Sequence, residues 1–148
     1  ALPLLGSLIQ EIEVSRFART FGTLLQSGVP VLAAVSIVKE TVTNRVIAGA
    51  MSRLQEGVKR GEGISGPLRA TGAFPSFSIH MARVGEETGK LEEMLIKVAD
   101  TYDDRVRRTV KRLTSLLEPV LILSLGLIVG FIVMSMLLAI FSINELPL

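Results

Sequence analysis

The sequence predicts an all-α fold, an antiparallel bundle of about six helices followed by a C-terminal transmembrane helix. Apolar residues recur at helical spacings of three and four, and no stretch shows the sustained alternation of a strand. All 16 Lys and Arg residues, and 12 of the 14 acids, precede Leu113. The run from Pro119 to Phe141 holds 23 residues without a charge. These observations separate a charged helical part from one membrane-spanning part.

The first two helices meet at a Gly-Val-Pro turn. Gly28 ends the first helix, and Pro30 is placed to start the second, which we predict from about Val31 to Thr41. The apolar face of the first helix comprises Val14, Phe17, Ala18, Phe21, Leu24 and Leu25.

A third helix follows, with Thr43 or Asn44 as its cap and Gly61 at its end. Its spaced apolar residues are Val46, Ala50, Leu54 and Val58.

The stretch 61–75 is rich in Gly and Pro and allows a short helix near 67–70. We predict a fifth helix from Pro75 to about Gly85. Its apolar side is formed by Phe77, Met81 and Val84.

The last helix is the longest. Its apolar spacing continues from Leu91 into the juxtamembrane region, and the pattern allows either an unbroken helix into the membrane or a kink at Pro119. The spaced residues are Leu91, Met94, Leu95, Val98, Tyr102, Val106, Val110 and Leu113.

We therefore predict four segments. Residues 1–13 form a linker or lead-in from an upstream segment, and 14–116 form a cytoplasmic helical-bundle domain. Residues 117–141 form the transmembrane helix, and 142–148 form a periplasmic tail.

The charges that flank the span predict its orientation. Five cations precede it and no Lys or Arg follows it, so the bundle is expected on the cytoplasmic side and the C-terminus outside. These topology determinants are Arg105, Arg107, Arg108, Lys111 and Arg112. Because a membrane helix begins a few residues later, topology and anionic lipid head groups explain this basic stretch better than nucleic acid does.

Within the span, four residues are candidates for helix packing or subunit contact. Gly126 and Gly130 form a GxxxG motif that lets another helix approach closely. Glu118, followed by Pro119, either lies at the membrane interface or pairs with a basic partner or a neighbouring subunit.

The composition argues against several kinds of chemistry. The absence of cysteine excludes disulfides, thiol nucleophiles and Cys-based metal sites, and a single histidine, His80, makes a His-rich metal site impossible. The fragment 85–90, GEETGK, fails as a phosphate-binding loop. It has three residues between its glycines, a Leu after the Lys and a helix before it. We interpret it as an interhelical turn marked by Gly85 and Gly89, with Thr88 as the cap of the next helix.

Acidic residues gather around that turn and along the last helix. Divalent-cation binding is one explanation, but solvated charges and the helix dipole explain them without a metal, and some are candidates for binding a partner protein. The residues are Glu86, Glu87, Glu92, Glu93, Asp100, Asp103 and Asp104. We predict no catalytic, cofactor-binding or metal-binding residues, and no enzymatic activity.

Three segments of the sequence are similar to motifs that occur together in one protein family. The segment 74–95, FPSFSIHMARVGEETGKLEEML, is similar to the pattern FPxxxxxMxxxGExxGxLxxML, with Gly85, Glu86, Gly89 and Leu91 in place. The segment 16–38 is similar to the family's opening signature, carrying Leu24, Leu25, Gly28 and Pro30. The segment 113–133 is similar to its final membrane segment, including Glu118, Pro119, Gly126 and Gly130. Together the three segments resemble the GspF/PilC family of inner-membrane platform proteins in type II secretion systems and type IV pili.

The resemblance implies a non-enzymatic, cofactor-free component of the bacterial inner membrane. Family members carry two homologous cytoplasmic domains and three membrane segments, and this chain matches the second domain and the last span. The implied partners are the assembly ATPase, other inner-membrane platform proteins, pseudopilin or pilin subunits, the lipid bilayer and further copies in a homo-oligomer, without nucleic acid. The implied function couples the ATPase to the insertion of pseudopilins for protein export.

Alternatives remain open. The ending SINEL (142–146) favours the secretion branch over a type IV pilus platform. A single-span anchor or sensor that recruits a cytoplasmic partner explains the topology and the bundle without the combined signatures. An enzyme that uses the carboxylates has only composition in its favour.

Overall fold

The computed structural model describes residues 3–42 and 44–145, in which the chain forms six α-helices and no strands. The helices are α1 Pro3–Gln26, α2 Val31–Thr41, α3 Arg45–Lys59, α4 Ser65–Thr71, α5 Ser76–Thr88 and α6 Leu91–Glu145. The all-α prediction is confirmed. The chain divides into two compact units, which we call the helical domain, Ala1–Arg107, and the C-terminal segment, Arg108–Leu148.

The helical domain has one apolar core, to which all six helices contribute. Phe17 of α1 packs against Phe74, with tilted rings whose centroids are 4.8 Å apart, and edge-to-face against Phe21 at 5.5 Å. Burial of each such side chain stabilises a fold by about 1.5–3 kcal/mol. The largest fully buried side chains are Tyr102, Phe21, Met51, Leu54, Leu68 and Leu95.

The predicted helix starts agree well with the structure. The Asn44 side chain accepts hydrogen bonds from the backbone N–H groups of Val46, at 2.8 Å, and Ile47, at 3.4 Å, so it caps α3. Pro30 occupies the cap position of α2, and its carbonyl accepts from Ala34 N–H at 2.9 Å. Thr43, the other candidate cap, lies outside the described residues.

Helix α1 is longer than its apolar face suggested. It begins at Pro3, so the described residues of the predicted lead-in, 3–13, are helical. The predicted short helix near 67–70 is also longer and forms α4, Ser65–Thr71. The predicted domain boundaries themselves stay predictions.

The predicted apolar side of α5 is only part of its packed surface. Phe77 and Met81 pack half-buried against the core, and Val84 is also half-buried. The fully buried residues of the helix are Ser78, Ile79, Ala82 and Gly85. Three of the four buried residues are small, and they let α5 approach its neighbours closely. A sequence pattern based on large apolar residues does not detect a buried face of this kind.

Helix α3 differs from its predicted apolar face at one position. Val46 is 69% exposed, and the buried positions are Ile47, Ala50, Met51, Leu54 and Gly57. A Cβ atom on Gly57 would collide with the ring of Pro67 in α4. Close packing therefore favours glycine here. Of the predicted apolar face, Ala50 and Leu54 are buried and Val58 packs against the core, so only Val46 lies outside it.

In the C-terminal segment, α6 continues as one helix to Glu145 with Pro119 inside it. Residues 111–145 are all exposed. Among the described residues, α6 is the one helix long and apolar enough to cross a membrane.

Candidate functional site

The turn between α5 and α6 carries the most specific motif of the sequence. Gly89 ends α5 with φ 72°, in the left-handed region that side-chain-bearing residues rarely adopt. Lys90 N–H then donates to the carbonyl of Gly85 at 2.9 Å, and the Lys90 carbonyl accepts from Met94 N–H at 3.1 Å as α6 begins. The interhelical turn is thus centred on Gly89 and Lys90.

Two details of the predicted turn were wrong. Gly85 lies inside α5 and is buried, so it does not mark the turn. Thr88 does not cap α6, because its hydroxyl donates back to the Val84 carbonyl at 2.7 Å. Helical threonines commonly form this bond within their own helix.

Gly85 instead permits a close approach between two helices. A Cβ atom at this position would lie 2.7 Å from the Cα atom of Leu91. Because a backbone atom cannot yield as a flexible side chain does, any larger residue would push α5 and α6 apart. Leu91 itself packs against the core.

Glu86 has a partner that the sequence did not indicate. Its carboxylate accepts from the backbone N–H groups of Ile64 and of Ser65, the latter at 2.6 Å, and from the Ser65 hydroxyl at 3.1 Å. These donors lie at the N-terminus of α4, where N–H groups lack helical acceptors and the dipole favours a negative charge. The helix-dipole interpretation therefore applies to Glu86, but the helix that its carboxylate caps is α4, upstream in the chain, and not α6.

The second motif forms the turn between α1 and α2. Gly28 has φ 88°, its N–H donates to the Leu25 carbonyl at 3.1 Å, and Val29 N–H donates to the Leu24 carbonyl at 3.1 Å. This pair of bonds satisfies carbonyls at the end of α1 in the manner of a Schellman cap. Leu24 and Leu25 pack partly buried against the core.

A polar cluster, Ser15, Arg19, Asp100 and Asp103, joins α1 to α6 inside the helical domain. Arg19 donates to Asp100 at 2.8 Å and to Asp103 at 2.6 Å. Ser15, almost fully buried, donates to the Asp103 carboxylate and to the Ala99 carbonyl. The only sequence signal was a serine within the apolar face of α1.

The cluster shifts two ionisation equilibria. The hydrogen bond from Ser15 lowers the pKa of Asp103 from its ordinary value, and Arg19 lowers it further against the opposing effect of burial. Hydrogen bonds to Asp100 and then Asp103 raise the pKa of Arg19. Both shifts favour the ion pair that holds α1 against α6.

Tyr102 lies beside this cluster and is almost fully buried. Its hydroxyl has no hydrogen-bond partner among the described residues, and burial raises the pKa of its phenol. The guanidinium of Arg105 lies 4.9 Å from the ring centroid, a cation–π contact. One of the five predicted topology determinants thus also contacts the domain core.

The structure places the remaining predicted site residues on the exposed surface of α6. Arg108, Lys111 and Arg112 precede the candidate span, and Glu118 and Pro119 stand at its start. Nothing in the described chain lies within 4 Å of a Cβ atom built on either span glycine, Gly126 or Gly130. This surface is open to a neighbouring helix, and the roles predicted for its residues stay predictions.

The described residues contain no cluster of three or more His, Asp or Glu side chains that could hold a metal ion. Helix α5 precedes the fragment 85–90, where a phosphate-binding loop would require a strand. The site is therefore a set of structural caps and contacts with an exposed apolar helix beyond them.

A small helical domain followed by an apolar helix of membrane-spanning length defines an all-α membrane-protein class. Within that class, the chain matches the family described as "Type II secretion system (T2SS), protein F" over residues 17–139. It therefore belongs to this family, GspF/PilC, as its motifs predicted.

Individual relatives carry names from both branches of the family. The chain is 41% identical to the type IV pilus assembly protein PilC of Myxococcus xanthus, over 96% of this chain and 34% of the relative. It is 37% identical to the protein of the same name from Pseudomonas aeruginosa, over 97% and 38%. It is 34% identical to the type II secretion system protein F of Pseudomonas aeruginosa, over 98% and 36%. The chain thus spans little more than a third of the length of these relatives.

Proposed function

We propose that the chain is part of a non-enzymatic assembly-platform protein in the bacterial inner membrane, which serves a type II secretion system. In this proposal, the platform couples the cytoplasmic assembly ATPase to the insertion of pseudopilin subunits. The observation that carries it is the family match over residues 17–139, which includes both the helical domain and the apolar part of α6.

The coupling proposal is supported by the course of α6. This helix is continuous from Leu91, where it packs in the core, to Glu145, beyond the candidate span. A helix resists bending and twisting more than a flexible linker does, so a displacement of its first turns can reach the membrane.

Breaking the helix tests this coupling. Insertion of seven Gly and Ser residues after Thr109 in the full-length protein should abolish secretion, because glycine weakens a helix by about 1 kcal/mol per residue. The matched control is an insertion of seven alanine-rich residues, about two helical turns, which keeps the segment helical. Secretion that is equal in the two variants would contradict the coupling.

The docking of a cytoplasmic partner needs a variant that leaves the fold intact. Because Glu86 caps α4, reversal of its charge would disturb the domain as well as any partner. Glu87 is exposed and forms an i,i+4 ion pair with Arg83 at 3.2 Å, which contributes little to stability. We expect Glu87→Lys to reduce capture of the assembly ATPase in a pulldown, with Asp104→Lys as the control.

The anchor hypothesis predicts a different result from that pulldown. A simple membrane anchor would bind neither the assembly ATPase nor other platform proteins, while secretion continued. Loss of both secretion and ATPase capture in a folded Glu87→Lys variant would exclude it.

The orientation follows from the same proposal, with the helical domain cytoplasmic and the C-terminus periplasmic. The chain has no cysteine, so a single cysteine introduced at Ser76 or at Ser142 is its only thiol. Labelling of that thiol shows on which side of the membrane the position lies. A membrane-impermeant thiol reagent applied to spheroplasts should label the Ser142→Cys variant and spare the Ser76→Cys variant. The reverse pattern would overturn the orientation.

A type IV pilus platform is the second candidate. It is favoured by the relatives named for pilus assembly, which are 41% and 37% identical, against 34% for the secretion protein. Deletion of the gene distinguishes the two candidates. A type II secretion platform predicts loss of exported protein, whereas a type IV pilus platform predicts loss of surface pili.

A further inference from the structure

Three cations on α6 lie together just before the candidate span. Arg108, Lys111 and Arg112 are spaced i, i+3 and i+4, which places them on one side of the helix. All three are exposed, and none forms an ion pair within the part of the chain that the structure describes. The nearest acids along the helix are Asp104, four residues before Arg108, and Glu118, six residues after Arg112. The cluster therefore carries a net positive charge.

Arg112 lies close to the position expected for the head-group layer of a bilayer, and Arg108 lies about one helical turn further out. Arg112 precedes Pro119 by seven residues, about 10 Å of helix at 1.5 Å per residue, and Arg108 precedes it by eleven, about 16 Å. The head groups occupy roughly 5–8 Å beyond each side of the hydrocarbon core, and long basic side chains extend toward them.

The opposite side of the same helical segment is apolar. Val110 is 46% exposed and Leu113 is 37% exposed, and neither shares the side that carries the cations. The segment thus presents a basic side and an apolar side immediately before the span, as helices at anionic membrane surfaces do.

We propose that Arg108, Lys111 and Arg112 form a binding site for the phosphate of an anionic phospholipid head group. Ammonium and guanidinium groups donate to phosphate oxygens through charge-assisted hydrogen bonds. We favour lipid over an acidic protein partner because a helix that crosses the bilayer holds these side chains within reach of head groups at all times. The inference rests on the membrane crossing of α6 and on no other part of the proposed function.

The sequence offers a clean spectroscopic test. The chain contains no tryptophan, so Ser115→Trp places a single fluorophore three residues after Arg112, on the same side of the helix. This chain is reconstituted into two preparations of vesicles, each with equal amounts of phosphatidylcholine and phosphatidylglycerol. Phosphatidylcholine is brominated in one preparation and phosphatidylglycerol in the other. Bromine quenches tryptophan at short range, so the ratio of the two quenching efficiencies measures the preference for phosphatidylglycerol.

We expect phosphatidylglycerol to be preferred about fivefold, the factor for one cation near an anionic surface, and added salt to reduce this preference. The triple variant Arg108→Gln, Lys111→Gln, Arg112→Gln should show a ratio near unity. A matched triple variant in α3 and at its C-cap, Arg53→Gln, Lys59→Gln, Arg60→Gln, removes the same charge and should keep the preference. Unchanged helical ellipticity verifies the fold of both variants.

Three results would overturn the proposal. Equal quenching by the two lipids in the parent chain would mean that these cations do not select a lipid and would favour an acidic protein partner. A preference that survives in the juxtamembrane triple variant would place the lipid site elsewhere. No quenching by either lipid would show that α6 does not enter the bilayer, and this result alone would also contradict the proposed platform function.

Discussion

The small and charged residues of the family motifs make different contacts in the helical domain and in the C-terminal segment. In the helical domain, Gly85 is buried against Leu91 and Glu86 is occupied by backbone donors of α4. In the C-terminal segment, a Cβ atom built on Gly126 or Gly130 would meet none of the described residues within 4 Å. The family motifs of the domain are therefore structural devices, whereas those of the segment are free to contact something outside this chain.

This difference separates two kinds of substitution. Changes in the domain motifs should be detected as lost stability, whatever the partners of the protein are. Changes in the segment motifs should leave stability alone and affect assembly. The predictions below test this separation in order of the expected loss of stability.

The largest loss is expected for Gly85→Ala. Its Cβ atom would lie 2.7 Å from the Leu91 Cα atom, and such overpacking costs about 2–3 kcal/mol. A urea titration of the detergent-solubilised chain measures the free energy of unfolding. The control is Gly49→Ala, at a helical glycine where an added Cβ atom would meet nothing within 4 Å in the described part of the chain. This variant should gain up to about 1 kcal/mol. Equal behaviour of the two variants would contradict the close packing of α5 on Leu91.

A smaller loss is expected for Glu86→Ala. Removal of this carboxylate leaves the N-terminal N–H groups of α4 without their acceptor, and loss of a helix cap costs about 1–2 kcal/mol. Glu87→Ala is the matched control, since it removes an equal charge from the next residue and breaks only an exposed ion pair. Hydrogen exchange should show faster exchange at Ile64 and Ser65 in the first variant alone. Protection of these amides in Glu86→Ala would contradict the cap.

The polar cluster between α1 and α6 contributes about 1 kcal/mol, because Arg19 and Asp103 keep more than a third of their side chains exposed. We expect Asp103→Asn to lower stability by that amount at neutral pH, with Asp104→Asn as the neutral control. The pKa of Asp103 in the folded state lies below its ordinary value. Its carboxylate therefore stabilises the fold fully at pH values above the ordinary pKa, and this contribution is lost as the pH falls through the folded-state pKa. The difference from the parent chain should therefore vanish in strongly acidic solution. A difference that grew below pH 3.8 would contradict this assignment.

The smallest loss is expected in the C-terminal segment. Gly126→Leu should change the free energy of unfolding of the helical domain by less than about 0.5 kcal/mol, because nothing described in this chain touches the site. If a neighbouring helix packs there, the added side chain should block it and reduce secretion. Leu127→Ile, at the adjacent exposed position, is the control. A large loss of domain stability in Gly126→Leu would break the distinction between the two regions.

Much of the fold was predictable because its boundaries use local signals. Asn44 starts α3 through its side chain, and Pro30 starts α2 through its ring. Gly28 ends α1 through its backbone conformation. Each of these residues acts on its nearest neighbours in the sequence. The 23 uncharged residues likewise needed no tertiary information to indicate a membrane span.

The errors came from long-range contacts. Glu86 lies 22 residues from the backbone that it caps, and Ser15 lies 88 residues from Asp103. The spacing of residues along a chain does not show such pairs. The buried face of α5 was missed for a related reason, since Ser78, Ala82 and Gly85 pack by being small, and small residues carry a weak apolar signal.

The burial of Tyr102 gives this protein a built-in optical reporter. It is the one tyrosine of a chain without tryptophan, so the near-ultraviolet absorption above that of phenylalanine comes from a single ring. That ring is in the core of the helical domain, with the pKa of its phenol raised by burial. In an alkaline spectrophotometric titration, the folded domain should therefore form tyrosinate at a higher pH than the unfolded domain does. The membrane helix contains no tyrosine or tryptophan, so it does not contribute to this signal.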